Sequence, residues 1–289
     1  MNRLEGALAR ELSALDDAGT RKGAETVVTR VLPASGERGP RVLLEGEGDR
    51  AFLRMNSNGY LGLSLDPDVI AAEEKAAQTF GAGPQAVRFI SGTFTPHVSL
   101  ERRLASFHDR EAGMIFSSAY ATVMGVIAPL TTPETAIISD ALNHNCIINA
   151  TRLAQPREKI VYPHLSMDEL RAALERAAAT CRRALVVTDG VFSMRGDHAP
   201  LDEIAALVAA YDERFAENAV IVVDDSHGVG AFGASGRGTE EVAGARADLL
   251  IATLGKAFGV NGGYAVGSGT LVDYLRETAP FYVYSNPIT

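Results

Sequence analysis

Apolar and polar residues run through this chain in two rhythms. Over residues 1–17 the apolar positions recur three to four residues apart among charges, the period of an amphipathic helix. Val42-Leu43-Leu44 and Ala51-Phe52-Leu53 flank the turn-forming stretch 46–49 and read as short strands. Asp66-Pro67, an N-cap residue followed by proline, opens a helix expected to reach about Phe80, where Gly81 and Gly83 end it. From His97 onward the rhythms alternate. Helical periodicity over 97–109, 119–130, 144–154, 166–181 and 200–215 is interleaved with short apolar runs at 113–117, 136–139, 159–162, 184–188, 219–223, 249–253 and 264–266. The fourth of these helices opens with a capping box, Ser166-Met167-Asp168-Glu169. Several runs are apolar or β-branched on both parities, as strands buried on both faces must be. The pattern predicts an α/β protein with a mostly parallel mixed sheet sandwiched by helices. The chain stops at Ser285-Asn286-Pro287-Ile288-Thr289, just after what reads as a strand with no closing helix.

Composition narrows the class. With 46% hydrophobic and 22% charged residues the chain is an ordinary globular one, and 289 residues allow one large domain or two small ones. Asp and Glu number 36 against 27 Lys and Arg, so the formal charge of −9 argues against a sequence-independent grip on nucleic acid or anionic membrane. Two cysteines, Cys146 and Cys181, form no motif and no disulfide framework. No apolar run approaches the roughly 18 residues of a membrane span. The opening helix is charged throughout, unlike a signal peptide. These features lead to the expectation of a cytoplasmic protein.

In parallel sheets ligands bind beyond the carboxyl ends of the strands, so polar residues just after the apolar runs carry the chemistry. Those residues are Ser117-Ser118-Ala119-Tyr120, then Asp140 and His144, then Thr188-Asp189-Gly190 with Ser193, then Asp224-Asp225-Ser226-His227, and last Thr253-Leu254-Gly255-Lys256. A lysine held away from bulk water loses pKa and becomes a Schiff-base nucleophile, and Lys256 sits among glycines that let backbone approach a ligand. Asp224 ends the most apolar run and needs a partner such as a protonated pyridine nitrogen, unless it only caps the next turn. Asp225 faces the other way and is expected to hold that turn. Ser117 to Tyr120 offer backbone amides at a helix start, an anion site or an ordinary serine cap. His144 reads either as a cap or as a flat ring stacked on a cofactor, and His227 as a structural histidine or a ligand. Gly228-Val229-Gly230-Ala231-Phe232-Gly233 imitates a dinucleotide fingerprint. It lacks the strand directly before it and the helix after it, so it is read as a decoy. Asp224, Asp225 and His227 have no second cluster at ligand spacing, so no metal site is expected.

Taken in order, these residues resemble the pyridoxal phosphate (PLP)-dependent α-oxoamine synthases, acyl-CoA-dependent enzymes with the aspartate aminotransferase fold. The resemblance runs from about residue 50 to the end. Its marks are Asn58-Gly59-Tyr60-Leu61-Gly62-Leu63, Val87-Arg88-Phe89-Ile90-Ser91-Gly92-Thr93, Asp140-Ala141-Leu142-Asn143-His144, Thr188-Asp189-Gly190-Val191-Phe192-Ser193-Met194, Val223-Asp224-Asp225-Ser226-His227 and Thr253-Leu254-Gly255-Lys256. Within the family the chain is most similar to the glycine C-acetyltransferases (2-amino-3-ketobutyrate CoA ligases), ahead of the decarboxylating 8-amino-7-oxononanoate synthases. Gly59 stands where the family commonly has Asn or Asp, and Ala119 where Gly or Cys is common.

The resemblance implies a role for each position. Lys256 would hold PLP through its amine and, once displaced by glycine, take the α-proton. Asp224 would keep the pyridine nitrogen protonated, His144 would stack on the ring, and His227 and Ser193 would address the 3′-oxygen. Backbone amides of Ala119 and Tyr120, with Thr253, would hold the phosphate. Ser285 and Asn286 would reach the site of a partner subunit, which implies a homodimer with shared active sites. Glycine or a similar small amino acid would condense with an acyl-CoA, acetyl-CoA first among them, to a 2-amino-3-oxo acid and CoA. The implied organisation is an N-terminal helix and arm over 1–50 and the PLP-binding large domain of the aspartate aminotransferase fold over 51–289. The small C-terminal domain, which carries the carboxylate-anchoring arginine, is read as missing. A chain without that domain leaves a catalytically silent PLP-binding module as the alternative.

Overall fold

The structure is a computed structural model that describes residues 2–289. Two compact units divide the chain, one running to Ser57 and the other Asn58–Thr289. In the first, helix α1 (Asn2–Asp17) is followed by an antiparallel pair, β1 (Val28–Leu32) and β2 (Arg41–Leu44). The expected strand at 51–53 reduces to one bridge, Phe52 with Val42, and β1 instead supplies the partner of β2.

The second unit continues with α2 (Pro67–Phe80), α3 (Thr95–Phe107), β3 (Ala112–Phe116), α4 (Ala119–Ile127), β4 (Thr135–Asp140), α5 (Asn145–Ala154) and β5 (Glu158–Tyr162). Next come α6 (Met167–Ala178), β6 (Arg183–Asp189), α7 (Leu201–Tyr211), β7 (Ala219–Asp224), α8 (Thr239–Ala243), β8 (Leu249–Thr253), β9 (Gly263–Gly267), α9 (Gly269–Thr278) and α10 (Pro280–Val283). The local start signals hold. Asp66 accepts the Asp68 and Val69 amides ahead of α2, and Ser166 accepts the Glu169 amide ahead of α6. A π-helical turn, Arg88–Gly92, lies between α2 and α3.

The strands form one seven-stranded sheet in the order β3-β9-β8-β7-β6-β4-β5. All pairings are parallel except those of β9, which is antiparallel to both neighbours. The carboxyl ends of the other strands therefore share one edge. Period-two alternation divides each strand between two cores. Ala184 and Val186 of β6, with Ile221 and Val223 of β7, pack under α6 and α7. Leu185 and Val187, with Val222, Leu249 and Ile251, pack under α4, α5 and α9. The sheet is thus covered on both faces, as the unbroken apolar runs require.

The end of the chain departs from the strand reading. Residues 269–283 form α9 and α10, because Ser268 caps the Leu271 amide, and Pro280 opens a short turn that buries Tyr282. The Arg88 and Arg276 guanidinium groups lie 5.2 and 5.5 Å from the centroid of the Tyr282 ring. That contact overrides the strand preference of Phe281-Tyr282-Val283-Tyr284.

Candidate active site

Strand register assembles the site. Asp189 and Asp224, last residues of β6 and β7, are direct neighbours, and Asp224 lies beside Ile251 of β8. On the other side Thr253 pairs with Gly263, the first residue of β9, which pairs in turn with Phe116 at the end of β3. Helix α4 starts just beyond Phe116. Ser118 caps it by accepting the Ala121 amide at 3.1 Å, and the first helical bond runs from the Thr122 amide to the Ser118 carbonyl at 2.9 Å. The amides of Ala119 and Tyr120 therefore face the open end of the helix, where an anion is favoured. Gly263 makes this approach of strand to helix end possible. A Cβ on it would sit 2.3 Å from the Ala119 nitrogen.

The other wall is built on the N-terminus of α5. Asn143 is buried and ties the ends of β4 and β6 together. Its amide group donates to Ser139 Oγ at 2.9 Å and to the Val187 carbonyl at 2.8 Å, while its Oδ1 accepts the Asp189 amide at 2.8 Å. Asp189 in turn accepts the His144 backbone amide at 2.8 Å. His144 is the N-cap of α5. Its Nδ1 accepts the Cys146 amide at 3.2 Å, which leaves the ring exposed. Asp224 accepts the Ser226 amide at 3.1 Å on Oδ1, and the Cys146 thiol lies 3.7 Å from Oδ2. Burial, reinforced by the charge of Asp224, raises the pKa of the Asp189 carboxyl above the ordinary carboxylate range.

Lys256 is half-buried three residues after β8. Burial pulls its ammonium below the ordinary lysine range, against the opposing pull of Asp224 and then Asp189. The pKa of His227 is lowered to about 4, by burial first and then by its proximity to Lys256 and His144. Its Nδ1 is 2.5 Å from the Tyr60 hydroxyl. Asp225 does hold the turn. It is fully buried, accepts the Thr239 amide at 2.7 Å, and leaves no room for a Cβ at Gly190, Gly228 or Gly238. The glycines after β7 therefore wrap a carboxylate, with no helix until α8.

Of the residues expected from sequence, Lys256, Asp224, His144 and His227 act on one another electrostatically, and Gly263 lies between Thr253 and Ala119. Thr253 Oγ1 accepts the Gly255 amide at 3.1 Å and contacts the Gly262 carbonyl at 3.3 Å. Tyr120 is held by its hydroxyl, 3.2 Å from Asn145 Oδ1 and 2.6 Å from Asn149 Nδ2. Ser193 lies exposed in the turn after β6. Asn286 is exposed, and Ser285 donates to the Asn286 carbonyl at 3.4 Å, with no bond from either to the cluster among the described residues. Asp189, Cys146 and Tyr60 carry no separate role in the sequence pattern. The signal for Asp189 was available, since it ends an apolar strand next in line to that of Asp224. Tyr60 meets His227, and Cys146 meets Asp224, through contacts distant in sequence.

The family model for aminotransferase class I and II matches residues 50–289, and the chain belongs to that family. Its relatives place it among the PLP-dependent α-oxoamine synthases. The human mitochondrial 2-amino-3-ketobutyrate coenzyme A ligase is 41% identical over 289 residues, 99% of this chain and 65% of that protein. The 8-amino-7-oxononanoate synthase 1 of Bacillus velezensis is 43% identical over 251 residues, 86% of this chain and 61% of that protein. The chain thus spans between 61% and 65% of the length of these two curated relatives. Among solved structures, the serine palmitoyltransferase of Sphingomonas wittichii is 33% identical with a TM-score of 0.85, covering 98% of this chain and 67% of the other. A serine palmitoyltransferase from S. paucimobilis with bound PLP is 28% identical with a TM-score of 0.84, covering 99% and 68%. The donor set of the site fits PLP: amides at a helix end for a phosphate, a buried carboxylate for a ring nitrogen, and a lysine amine of lowered pKa.

Proposed function

We propose that this chain binds PLP and acts as an acyltransferase joining glycine, or a similarly small amino acid, to an acyl-CoA. The observation that carries the reading is the convergence of Lys256, Asp224 and the start of α4 on one sheet edge. The Ala119 and Tyr120 amides and Thr253 are assigned to the phosphate, Asp224 to the ring nitrogen, His144 to the ring face, and Ser193 and His227 to the ring hydroxyl. Bound there, PLP supplies an electron-withdrawing ring that stabilises the negative charge left when an amino acid loses its α-proton. The chain's own contribution is proton placement. Burial favours the neutral amine of Lys256, which can then accept a proton, and the nearby carboxylates stabilise the ammonium that results. Neutral His227, fixed by Tyr60, can serve as an uncharged hydrogen-bond partner.

Acetyl-CoA and glycine are the substrates assigned first. The 2-amino-3-ketobutyrate ligase relative matches over 99% of this chain, against 86% for the oxononanoate synthase relative, although the latter is as close in identity. Ser285 and Asn286 are assigned to the site of a second copy, which makes the working unit a homodimer.

The test is visible absorbance on addition of PLP, repeated with Lys256→Ala. We expect a band in the parent and its loss in the variant, and a parent without the band would end the reading. A panel of acyl-CoA chain lengths against glycine, alanine and serine, read as CoA release, then distinguishes the two relatives' activities. If no acyl-CoA of the panel releases CoA, the silent PLP-binding module is left.

A further inference from the structure

Cys146 sits on the first turn of α5 and is 2% exposed. Its sulfur is 2.9 Å from His144 Nδ1 and 3.7 Å from Asp224 Oδ2. The first contact is local, whereas the second spans 78 positions of sequence and exists only because α5 packs over the end of β7. Burial raises the thiol pKa and the charges of Asp224 and Asp189 raise it further, so the sulfur keeps its hydrogen. A thiol has one hydrogen to donate. His144 Nδ1 and Asp224 Oδ2 both lie within its reach, and they flank the region assigned to the cofactor ring.

We propose that Cys146 is a positioning residue that couples His144 to Asp224, turning its single S–H hydrogen between the carboxylate and the imidazole. With no cation beside Asp224, the carboxylate is the stronger acceptor and takes the S–H. When a cationic group pairs with Asp224, that acceptor weakens and the S–H turns to Nδ1. The Nδ1 lone pair of His144 is then shared between the Cys146 amide and the thiol, and the ring keeps its proton on Nε2. Only a hydrogen bond changes partner, and the thiol remains a thiol. The coupling rests on the reading that Asp224 receives the protonated ring nitrogen of PLP.

Infrared difference spectroscopy of the S–H stretch tests it, on the full chain carrying Cys181→Ala so that Cys146 is the one thiol. Stronger hydrogen bonding lowers the S–H frequency. We expect Asp224→Asn to raise the frequency in the PLP-free protein, and PLP to shift the parent band while leaving the Asp224→Asn band in place. A band indifferent to both changes overturns the proposal. A second measurement separates coupling from packing: the visible absorbance maximum of the PLP-loaded protein should be kept by Cys146→Ser and shifted by Cys146→Ala. Equal shifts in the two variants also overturn it. Absence of any PLP absorbance would overturn the functional reading instead, and the PLP-free Asp224→Asn spectrum would still decide whether thiol and carboxylate are linked.

Discussion

Replacing Gly263 by alanine should cost the protein its hold on PLP more than its fold. The added methyl carbon would lie 2.3 Å from the Ala119 nitrogen and 2.5 Å from both the Ala119 Cα and the Ser118 carbonyl carbon. All three are backbone atoms at the start of α4, with no rotamer to give way. Non-bonded carbon contacts settle at about 3.5–4.0 Å, so strand and helix must part by roughly 1 Å. Gly263 is fixed by pairing with Thr253 on one side and Phe116 on the other, so the helix end is what moves. Overpacking of this kind costs about 1–3 kcal/mol of stability. The amides of Ala119 and Tyr120 move with the helix end, and a hydrogen bond to a charged group contributes about 1.5–3 kcal/mol. Losing the geometry of one such bond weakens PLP binding by roughly ten- to a hundredfold. The assay is a PLP titration by visible absorbance, alongside thermal unfolding of the PLP-free protein. Gly113→Ala is the control. Its Cβ would meet the Glu101 carbonyl oxygen at 2.9 Å, near the far end of β3. It should lose stability while keeping parental PLP affinity. If Gly263→Ala binds PLP as tightly as the parent, or if both variants lose affinity alike, the start of α4 is not the phosphate seat.

Two further outcomes follow from buried charges away from the site. Glu101 accepts Arg88 at 2.9 and 3.2 Å and Arg276 at 2.9 Å, with its side chain 6% exposed, so Glu101→Gln leaves two guanidinium groups facing a neutral amide. Chemical denaturation should show a loss of about 3–5 kcal/mol, and a loss below about 1 kcal/mol would contradict the network. His108, buried and hydrogen-bonded to the Tyr264 hydroxyl at 2.8 Å, has its pKa lowered from 6.5 to about 4, by burial first and then by Arg110 and Arg237. Between those values the unfolded chain binds the proton and the folded chain does not, so stability falls as pH drops from 6.5 to 4. The contribution at pH 4.5 is roughly 2–3 kcal/mol, and His108→Gln should remove that part of the dependence in urea unfolding at pH 7 and 4.5. An unchanged slope would refute the assignment.

Much of the fold could be read before the structure because its signals are local. The Asp66-Pro67 and Ser166 helix starts depend on a few consecutive residues, and the runs that became β4, β6, β7 and β8 are apolar on both parities wherever they are buried on both faces. Helix α9 was harder to see, because Gly269 and Thr270 are weak helix formers in its first turn. The residues of α10 favour strand, and their helical turn depends on Arg88 and Arg276, distant in sequence, gripping the ring of Tyr282. Strand β1 escaped because it is short and mostly exposed, so its pattern carries little burial signal.

For the site, the sequence by itself determined the kind of chemistry: a lysine, an aspartate, two histidines and a helix start, each just beyond an apolar run. Those residue types sit at strand ends because a parallel sheet exposes that edge. The tertiary structure decided which of them act together. Register set Asp189 against Asp224 and raised the pKa of Asp189, and the side-chain-free Gly263 brought the start of α4 up to Thr253. Packing of α5 over β7 put the Cys146 thiol between His144 and Asp224. Such couplings fall off steeply with distance and depend on burial. Distance between residues far apart in sequence, and the water excluded from around them, are properties of the packed chain alone.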